Sequence, residues 1–448
     1  MLEPRRIARN VLVRVEQGGA FANRALDAAL SEAGALDPRD VALATELTYG
    51  TLRRQVLIDH VLAHFSKRKL SELEPETRAL LRLGAHQLLH LRVPEHAALH
   101  ETVELAKEVH RGRAVPYVNA VLRALARGKT NVFIPPASVD PAGHLSLTES
   151  FPRWIVESLL AERSFDETQA LLSAHNRTAP LNLRVNRLQA DRTQVEHALK
   201  AELDLDALPT RWSPAGLALD ATAPARLLRP ESGRWQAQDE GAQLVGYFAA
   251  PVPGTTVLDA CAAPGGKSCH LAELMEDRGH LDALDVHPGR MRDIVDAAER
   301  LELSIVHAQL ADATLPLTFQ PPGGYDAILV DAPCTGLGTV RRHPELKTKR
   351  VPEDVSRLAE LQARLLDRLA GALSPGGTLT YAVCTFTREE GPAQVERFLA
   401  RHRDFARAPP PAGPVDFSAL TDAKGDLVLD PHRHGTDGFY ATRLRRRP

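Results

Sequence analysis

The stretch "VLDACAAPGGKS", residues 257 to 268, decides the fold. Apolar residues lead into an acid, two adjacent glycines follow, and the next residues have the pattern of a helix start. Gly265 and Gly266 let the backbone approach a ligand closely, and the helix N-terminus offers N–H groups to a carboxylate or phosphate. The spacing matches neither the dinucleotide GxGxxG pattern nor the GxxxxGK[ST] phosphate loop. The stretch therefore favours a nucleotide-type cofactor other than NAD or ATP.

From about residue 231 onward, strand patterns alternate with helical ones. Strands are predicted in "TTVLDA", "HLDALDV", "LSIVHAQL", "YDAILVDAP" and "GTLTYAVCT". Such alternation predicts a parallel sheet that is covered by helices on both faces. Ligands of a sheet of this kind bind at the carboxyl ends of the strands.

Candidate functional residues follow directly after these strands. Asp285 ends the second strand, where an acid commonly binds ribose hydroxyls, and Asp312 follows the third strand, where it can meet a base edge. Each acid alone is more often a helix cap or a turn residue, but together with the glycine turn they favour a ligand site. The fourth strand leads to Asp331 and Cys334, and Cys384 follows the fifth. Two thiols and an acid beside a nucleoside cofactor indicate covalent catalysis, because a thiolate is a strong nucleophile near neutral pH.

The rest of the chain divides into helical and mixed segments. Helical periodicity fills residues 1–130, with Pro75 near a helix start and Gly50 expected to interrupt a longer run. Residues 131–150 collect Pro, Gly, Ser and Thr and are predicted to be a linker. Residues 151–230 read as a small α/β connecting domain, and residues 231–448 form the predicted α/β domain.

Composition adds bounds on cofactors and location. The chain has 448 residues, a formal net charge of -2 and four cysteines. No cysteine pair has CxxC spacing, so no metal is expected. No leader-like or membrane-spanning apolar run is present, so we expect a cytoplasmic protein that does not bind membranes, and we expect it to act as a monomer.

Several motifs together resemble a known family. "GRWQAQDEGAQLV", "VLDACAAPGGKS", "ILVDAPCTGLGTVRRHPELK", "GGTLTYAVCTFTREEG" and "GTDGFYATRLRR" are similar to the successive motifs of the RNA cytosine-5 methyltransferases. "PRDVALATELTYGTLRR" and "VPYVNAVLRAL" resemble the NusB-like RNA-binding domain. The combination resembles the bacterial RsmB (Sun/Fmu) type of small-subunit ribosomal RNA methyltransferase over almost the whole chain.

The resemblance implies a fold, a reaction and a set of residues. The fold is a multidomain one, with an all-α NusB-like domain, a small α/β connecting domain and a Rossmann-like class I methyltransferase domain. The reaction is S-adenosylmethionine-dependent methylation of cytosine C5 in 16S ribosomal RNA. Cys384 is the implied nucleophile, Cys334 helps to release the product, and Asp331 contacts the target cytosine. The residues implied to bind S-adenosylmethionine are Cys261, Ala262, Ala263, Pro264, Gly265, Gly266, Lys267, Asp285, Asp312 and Asp331.

Ribosomal RNA of the small subunit is the expected partner, and one basic run is the candidate contact. "RRHPELKTKR", residues 341 to 350, follows the Cys334 turn. A charge run is usually only a solvated surface, but its position beside the candidate site favours phosphate contact. The residues concerned are Arg341, Arg342, Lys347, Lys349 and Arg350. Two alternatives stay open, a transfer RNA cytosine-5 methyltransferase and a non-catalytic RNA-binding or ribosome assembly factor.

Overall fold

The computed structural model describes residues 2–220, 227 and 232–448. The chain forms two compact units. The helical unit comprises Met1–Arg177 and Val340–Arg350, and the sheet unit comprises Thr178–Thr339 and Val351–Pro448. Among the described residues, no helix has both the length and the apolar character needed to cross a membrane.

The helical unit confirms the predicted helical periodicity. Ile7, Val11 and Val15 recur at a spacing of four along the first helix, and all three are buried. The helices that precede residue 178 are α1 (Leu2–Gln17), α2 (Ala22–Ala33), α3 (Pro38–Arg53), α4 (Gln55–Phe65), α5 (Pro75–His90), α6 (Glu95–Ala106), α7 (Val115–Gly128), α8 (Pro141–Thr148), α9 (Arg153–Leu160) and α10 (Phe165–His175).

Two local expectations in this unit differ from the structure. Gly50 does not interrupt a helix: it lies inside α3, where a Cβ atom would come within 2.3 Å of His86 Nε2, and the break falls at Arg54. The predicted linker contains α8, which Asp140 caps by accepting a hydrogen bond from Gly143 N at 2.9 Å. Pro141, one of the residues that suggested a linker, is therefore the first residue of a helix.

The first part of the sheet unit is a small α/β layer. It contains β1 (Leu181–Val185), α11 (Arg192–Leu203), β2 (Leu208–Pro209), β3 (Gly216–Leu219) and β4 (Trp235–Ala237). The strand order is β2-β3-β1-β4, and the described pairs are antiparallel. A small α/β segment was predicted here, but the division between the two units falls at Arg177, inside the predicted 151–230 domain.

The second part of the sheet unit carries the larger sheet. Its elements, with one short helix that belongs to the helical unit (α15), are α12 (Glu240–Ala249), β5 (Thr256–Asp259), α13 (Gly266–Leu274), β6 (His280–Asp285), α14 (Pro288–Arg300), β7 (Val306–Leu310), β8 (Tyr325–Asp331), α15 (Leu346–Lys349), α16 (Pro352–Ala370), β9 (Leu373–Val383), α17 (Pro392–Arg401), β10 (Phe405–Arg407), β11 (Leu427–Leu429), α18 (Pro431–His434) and β12 (Phe439–Arg446).

The larger sheet is mixed rather than wholly parallel. Its order is β10-β12-β9-β8-β5-β6-β7, with β11 on β12. The five predicted strands, β5 to β9, pair in parallel as expected. β12, the last strand of the chain, runs antiparallel to β9. The parallel part brings the ends of β5, β6, β8 and β9 to one edge, which is where the candidate residues lie.

Candidate active site

The glycine turn after β5 has the geometry that the sequence predicts. Gly265 has a φ of +94°, and Gly265 N donates to Ala262 O at 2.7 Å to close the turn. A Cβ atom on Gly265 would lie 3.0 Å from Ile294 Cα, so a larger residue would strain the backbone and press on α14. Helix α13 then begins at Gly266, with Lys267 in its first turn.

A buried arginine from the small α/β layer supports this turn. Arg184 on β1 is fully buried, and its Nη1 donates to Gly266 O at 2.8 Å. Its Nη2 donates to Glu273 Oε1 on α13 at 2.7 Å. Sequence reasoning missed Arg184, because a single arginine within a strand pattern carries no sign of a partner in a helix that begins 82 residues later.

Asp285 and Asp312 lie where they were predicted, at the ends of neighbouring strands. Asp285 accepts hydrogen bonds from Ala263 N at 3.2 Å and His287 N at 2.9 Å, which ties the glycine turn to the end of β6. Asp312 accepts from Thr314 N at 2.8 Å, so it also serves as a turn residue. Beside them, Val286 is 54% exposed and Leu310 is 58% exposed. These apolar side chains flank the acids, and they offer the kind of surface that packs against the face of a nucleobase.

Lys267 and Asp331 form an ion pair at the same edge. Lys267 Nζ donates to Asp331 Oδ2 at 2.7 Å and lies 5.4 Å from the ring centre of Phe439. Burial lowers the pKa of Lys267, but the Asp331 carboxylate more than offsets this, so the pKa is raised and the side chain stays an ammonium. Cys384 also acts on Lys267 electrostatically, so this cation and the thiol are neighbours.

The two predicted thiols meet. Cys334 Sγ lies 3.3 Å from Cys384 Sγ, and both side chains are partly exposed. The hydrogen bond to Cys384 and then burial raise the pKa of Cys334 well above its ordinary value. Cys334 therefore keeps its proton and can donate it to the Cys384 sulfur. Of the other two thiols, Cys269 is buried in the apolar core, and burial is the largest cause of the raised pKa of Cys261.

Another acid, Asp259, lies buried at the end of β5, at the same edge of the sheet as Lys267 and Asp331. Asp259 Oδ2 accepts a hydrogen bond from Ser268 Oγ at 2.7 Å. Burial raises the pKa of Asp259 to about 7, and the Ser268 bond acts against this rise. Asp259 was not among the predicted site residues, although the quoted stretch contains it.

Glu390 is the second acid that sequence reasoning missed. It stands in "TREEG", which reads as an exposed charge run, yet its side chain is fully buried. It accepts hydrogen bonds from Thr335 N at 2.8 Å and Thr387 Oγ1 at 2.8 Å. Thr335 follows Cys334 directly, so this acid contacts both cysteine loops.

The basic run 341–350 lies in the helical unit, where it does not form a uniform exposed surface. Lys347 is 1% exposed, and its Nζ donates to Arg53 O at 3.0 Å, Ser150 O at 3.2 Å and Asn176 Oδ1 at 2.6 Å. With its donors used inside the unit, Lys347 does not suit the phosphate contact that we expected.

The four other members of the run are also held or partly buried. Lys349 Nζ donates to Ala20 O at 2.5 Å, and Arg341 is buried. Arg342 and Arg350 are partly exposed. Lys347 and Lys349 therefore hold residues 341–350 in place within the helical unit.

Comparison with known proteins identifies the parts of the chain. Residues 247–445 match the family model described as 16S rRNA methyltransferase RsmB/F. Residues 2–127 match the NusB family, and residues 151–226 match the ferredoxin-like domain of RsmF/B-like methyltransferases. The glycine turn, the paired acids and the helix-flanked sheet are thus those of an α/β methyltransferase with a NusB-like domain and a ferredoxin-like domain.

Relatives cover the whole chain. The probable ribosomal RNA small subunit methyltransferase B of Bacillus subtilis (strain 168) is 35% identical, over 99% of this chain and 98% of the relative. That of Synechocystis is 34% identical over the full length of both. The crystal structure of PH0851 is 26% identical, with a TM-score of 0.84 over 98% of each chain. The chain belongs to the RsmB/F family of 16S rRNA methyltransferases, which confirms the resemblance drawn from its motifs.

Proposed function

We propose that this methyltransferase transfers a methyl group from S-adenosylmethionine to C5 of a cytosine in 16S ribosomal RNA, through a covalent bond between Cys384 and C6 of the base. The observation that carries the proposal is the pair of sulfurs 3.3 Å apart, at the strand ends that also present Lys267 and Asp331. The printed names of the relatives support a small-subunit ribosomal RNA as substrate.

The residues around the glycine turn fit S-adenosylmethionine. The turn and the start of α13 offer backbone N–H groups to its carboxylate, and Asp285 stands where ribose hydroxyls bind. Val286 and Leu310 offer apolar surface to its base. When bound, S-adenosylmethionine supplies an electrophilic methyl group on its sulfonium centre.

The thiol pair has an asymmetry that suits two different roles. Cys384 adds to C6 as the thiolate, and the electron pair of the C5–C6 double bond moves toward N3, which gains a proton or a hydrogen bond. C5 then becomes nucleophilic enough to attack the methyl group, and the electron pair of the broken methyl–sulfur bond would stay on the sulfur of the cofactor, which would leave as a neutral thioether. The C5 proton must afterwards leave to a base, and the C6–S bond breaks as the double bond re-forms. We propose Cys384 as the nucleophile, Cys334 for product release and Asp331 as the contact to the cytosine.

RNA contact rests on the helical unit and the basic run. A NusB-family match over residues 2–127 supports RNA binding by this unit. We limit the proposed phosphate contacts of the run to Arg342 and Arg350, because Lys347 is buried and Lys349 donates to a backbone carbonyl. The target cytosine must leave any stack to reach the thiols, so an unpaired or flipped nucleotide is expected.

Methyl transfer from tritiated S-adenosylmethionine to 16S ribosomal RNA and to transfer RNA tests the function. Cys384→Ala is expected to abolish both methylation and covalent attachment, and Cys334→Ala is expected to accumulate a protein–RNA adduct that resists denaturing gels. Cys269→Ala is the matched control, since this thiol lies in the core.

Three results would count against the proposal. Transfer to neither RNA would leave a non-catalytic binding factor, and transfer only to transfer RNA would change the substrate. An adduct that survives loss of Cys384 but disappears with Cys334 would exchange the two roles.

A further inference from the structure

We infer that Glu390 is a positioning residue for the two thiols: its carboxylate joins the loop that carries Cys334 to the loop that carries Cys384. The inference rests on the proposed covalent function of these cysteines. Glu390 lies within the quoted motif "GGTLTYAVCTFTREEG", but neither the resemblance nor the proposed reaction gives it a role, and it touches neither sulfur in the described contacts.

The carboxylate of Glu390 is filled by neutral donors from three elements. Oε1 accepts from Thr335 N at 2.8 Å and from Gln362 Nε2 at 3.1 Å. Oε2 accepts from Thr335 Oγ1 at 2.6 Å and from Thr387 Oγ1 at 2.8 Å. A carboxylate offers about four acceptor sites, so the observed bonds use its whole capacity. Gln362 Nε2 also donates to Pro333 O at 2.9 Å, which adds a second tie to the Cys334 loop.

The hydroxyl protons give this network a direction. Because the Thr335 hydroxyl has one proton and donates it to Glu390, its 2.9 Å contact with Thr385 Oγ1 must be donated by Thr385. Thr385 in turn accepts from Thr387 N at 3.3 Å. Glu390 therefore orients the hydroxyl of the residue that follows each cysteine. It accepts the Thr335 hydroxyl proton directly, and it orients the Thr385 hydroxyl through that of Thr335.

The sheet itself does not extend to the sulfurs. Gly338 N donates to Cys384 O at 3.0 Å, but the register between β8 and β9 ends at Asp331 and Ala382, with a further bond from Ala332 N to Ala382 O at 2.9 Å. Both cysteines lie beyond that point. The side-chain bonds of Glu390 connect the two loops beyond the end of the β8–β9 pairing. We therefore infer that these bonds help to hold Cys334 Sγ 3.3 Å from Cys384 Sγ.

Glu390→Gln and Thr335→Val test the inference in the full-length protein. Misplacement of reacting groups by about 1 Å can cost roughly 100-fold in rate, so we expect the single-turnover methyl-transfer rate to fall about 10- to 100-fold in both variants. S-adenosylmethionine affinity and the KM for RNA should stay near the wild-type values, because the network does not touch the glycine turn. Thr335→Ser keeps the hydroxyl and should restore most of the rate.

The matched control is Gln394→Ala. Gln394 is a buried polar residue of the same region, but its Nε2 donates to Ala359 O at 3.0 Å, between α17 and α16. This variant should lose some thermal stability and keep the methyl-transfer rate. If Gln394→Ala lost the rate as Glu390→Gln does, or if Glu390→Gln kept it, the positioning role would be refuted.

A second measurement does not depend on activity. Diamide, an azo oxidant, takes two electrons and two protons from a pair of thiols, forming one S–S bond and the hydrazine. Mass spectrometry should show rapid linkage of Cys334 to Cys384 in the wild type and slower linkage in Glu390→Gln and Thr335→Val. Equal linkage rates would refute the inference. If the wild type linked its thiols in this way but methylated no RNA, the proposed function would fail while the positioning role stood.

Discussion

Asp259→Asn should stabilise the sheet unit in a pH-dependent way. Asp259 is fully buried at the end of β5, and burial raises its pKa to about 7 from a model-compound value of 3.8. Asparagine has nearly the same shape, carries no charge, and can still accept the hydrogen bond from Ser268 Oγ through its amide oxygen. The substitution therefore removes the cost of a buried charge with little change in packing, and the gain is reduced because the NH2 group of asparagine cannot accept the Cys261 N–H that acts on the carboxylate.

The sign and the size follow from the two pKa values. Well below pH 3.8 the carboxyl is protonated in both the folded and the unfolded chain, so it has no effect on the free energy of unfolding. Between pH 4 and pH 7 the unfolded chain ionises first, and the wild type loses stability as the pH rises. Above pH 7 the loss is complete, and a pKa of about 7 instead of 3.8 corresponds to about 4 kcal/mol as an upper limit.

Urea unfolding at pH 4.5, 6 and 8 measures this effect. Trp212 and Trp235 lie in the sheet unit, so their fluorescence in a Trp154→Phe background reports on that unit. The advantage of Asp259→Asn over the wild type should be small at pH 4.5 and should approach the upper limit at pH 8. An advantage that does not change with pH, or a variant less stable than the wild type at pH 8, would refute the reasoning.

Two further substitutions test the basic run and the glycine turn. Lys347→Met should lower the unfolding temperature, because two buried carbonyls and the partly buried Asn176 Oδ1 lose their donor, at roughly 1 to 3 kcal/mol for each buried acceptor. Part of this cost is offset because burial disfavours the ammonium that is removed. It should leave the slope of log RNA affinity against log salt unchanged, and a slope smaller by about 1 would restore the phosphate contact. Gly265→Ala should weaken S-adenosylmethionine binding in calorimetry, because φ is +94° and Ile294 Cα would lie 3.0 Å from the new Cβ. Gly289→Ala, with open space around it, is the control; an equal loss there would contradict the argument.

The sequence predicts this fold well where strand and helix patterns alternate regularly, as they do from β5 to β9. Strands β5 to β9 each end in an acid or are followed within two residues by an acid or a thiol. The rule that ligands bind at the carboxyl ends of parallel strands predicted from the sequence that Asp285, Asp331, Cys334 and Cys384 lie at one edge of the sheet. The antiparallel β12 was missed, because alternation predicts a strand but not its direction or its neighbour. Its match to a family motif gave no information about its pairing.

Burial of charged residues is the main feature that the sequence does not reveal. Lys347 and Glu390 both stand in charge runs, where the general expectation is an exposed side chain. Both are buried because their partners, Ser150 and Asn176 in one case and Thr335 in the other, come from distant parts of the chain. A local sequence pattern cannot indicate hydrogen-bond partners that lie roughly 50 to 200 residues away. It therefore shows that a residue is charged but not whether its side chain is buried.

The thiol pair suggests an order of events that one experiment can test. Before reaction, the hydrogen bond to Cys384 is the largest cause of the raised pKa of Cys334, so Cys334 keeps its proton while this bond is present. When the Cys384 sulfur bonds to C6, this largest cause is removed and the pKa of Cys334 falls, although burial still raises it. Cys334 is then easier to ionise at the stage when a base is needed. Cys384→Ala mimics this loss and should lower the pH at which Cys334 is alkylated by iodoacetamide, as followed by mass spectrometry. If Cys334 reacted with the same pH profile in the wild type and in Cys384→Ala, the pair would not be coupled in this way, and another group would have to remove the C5 proton.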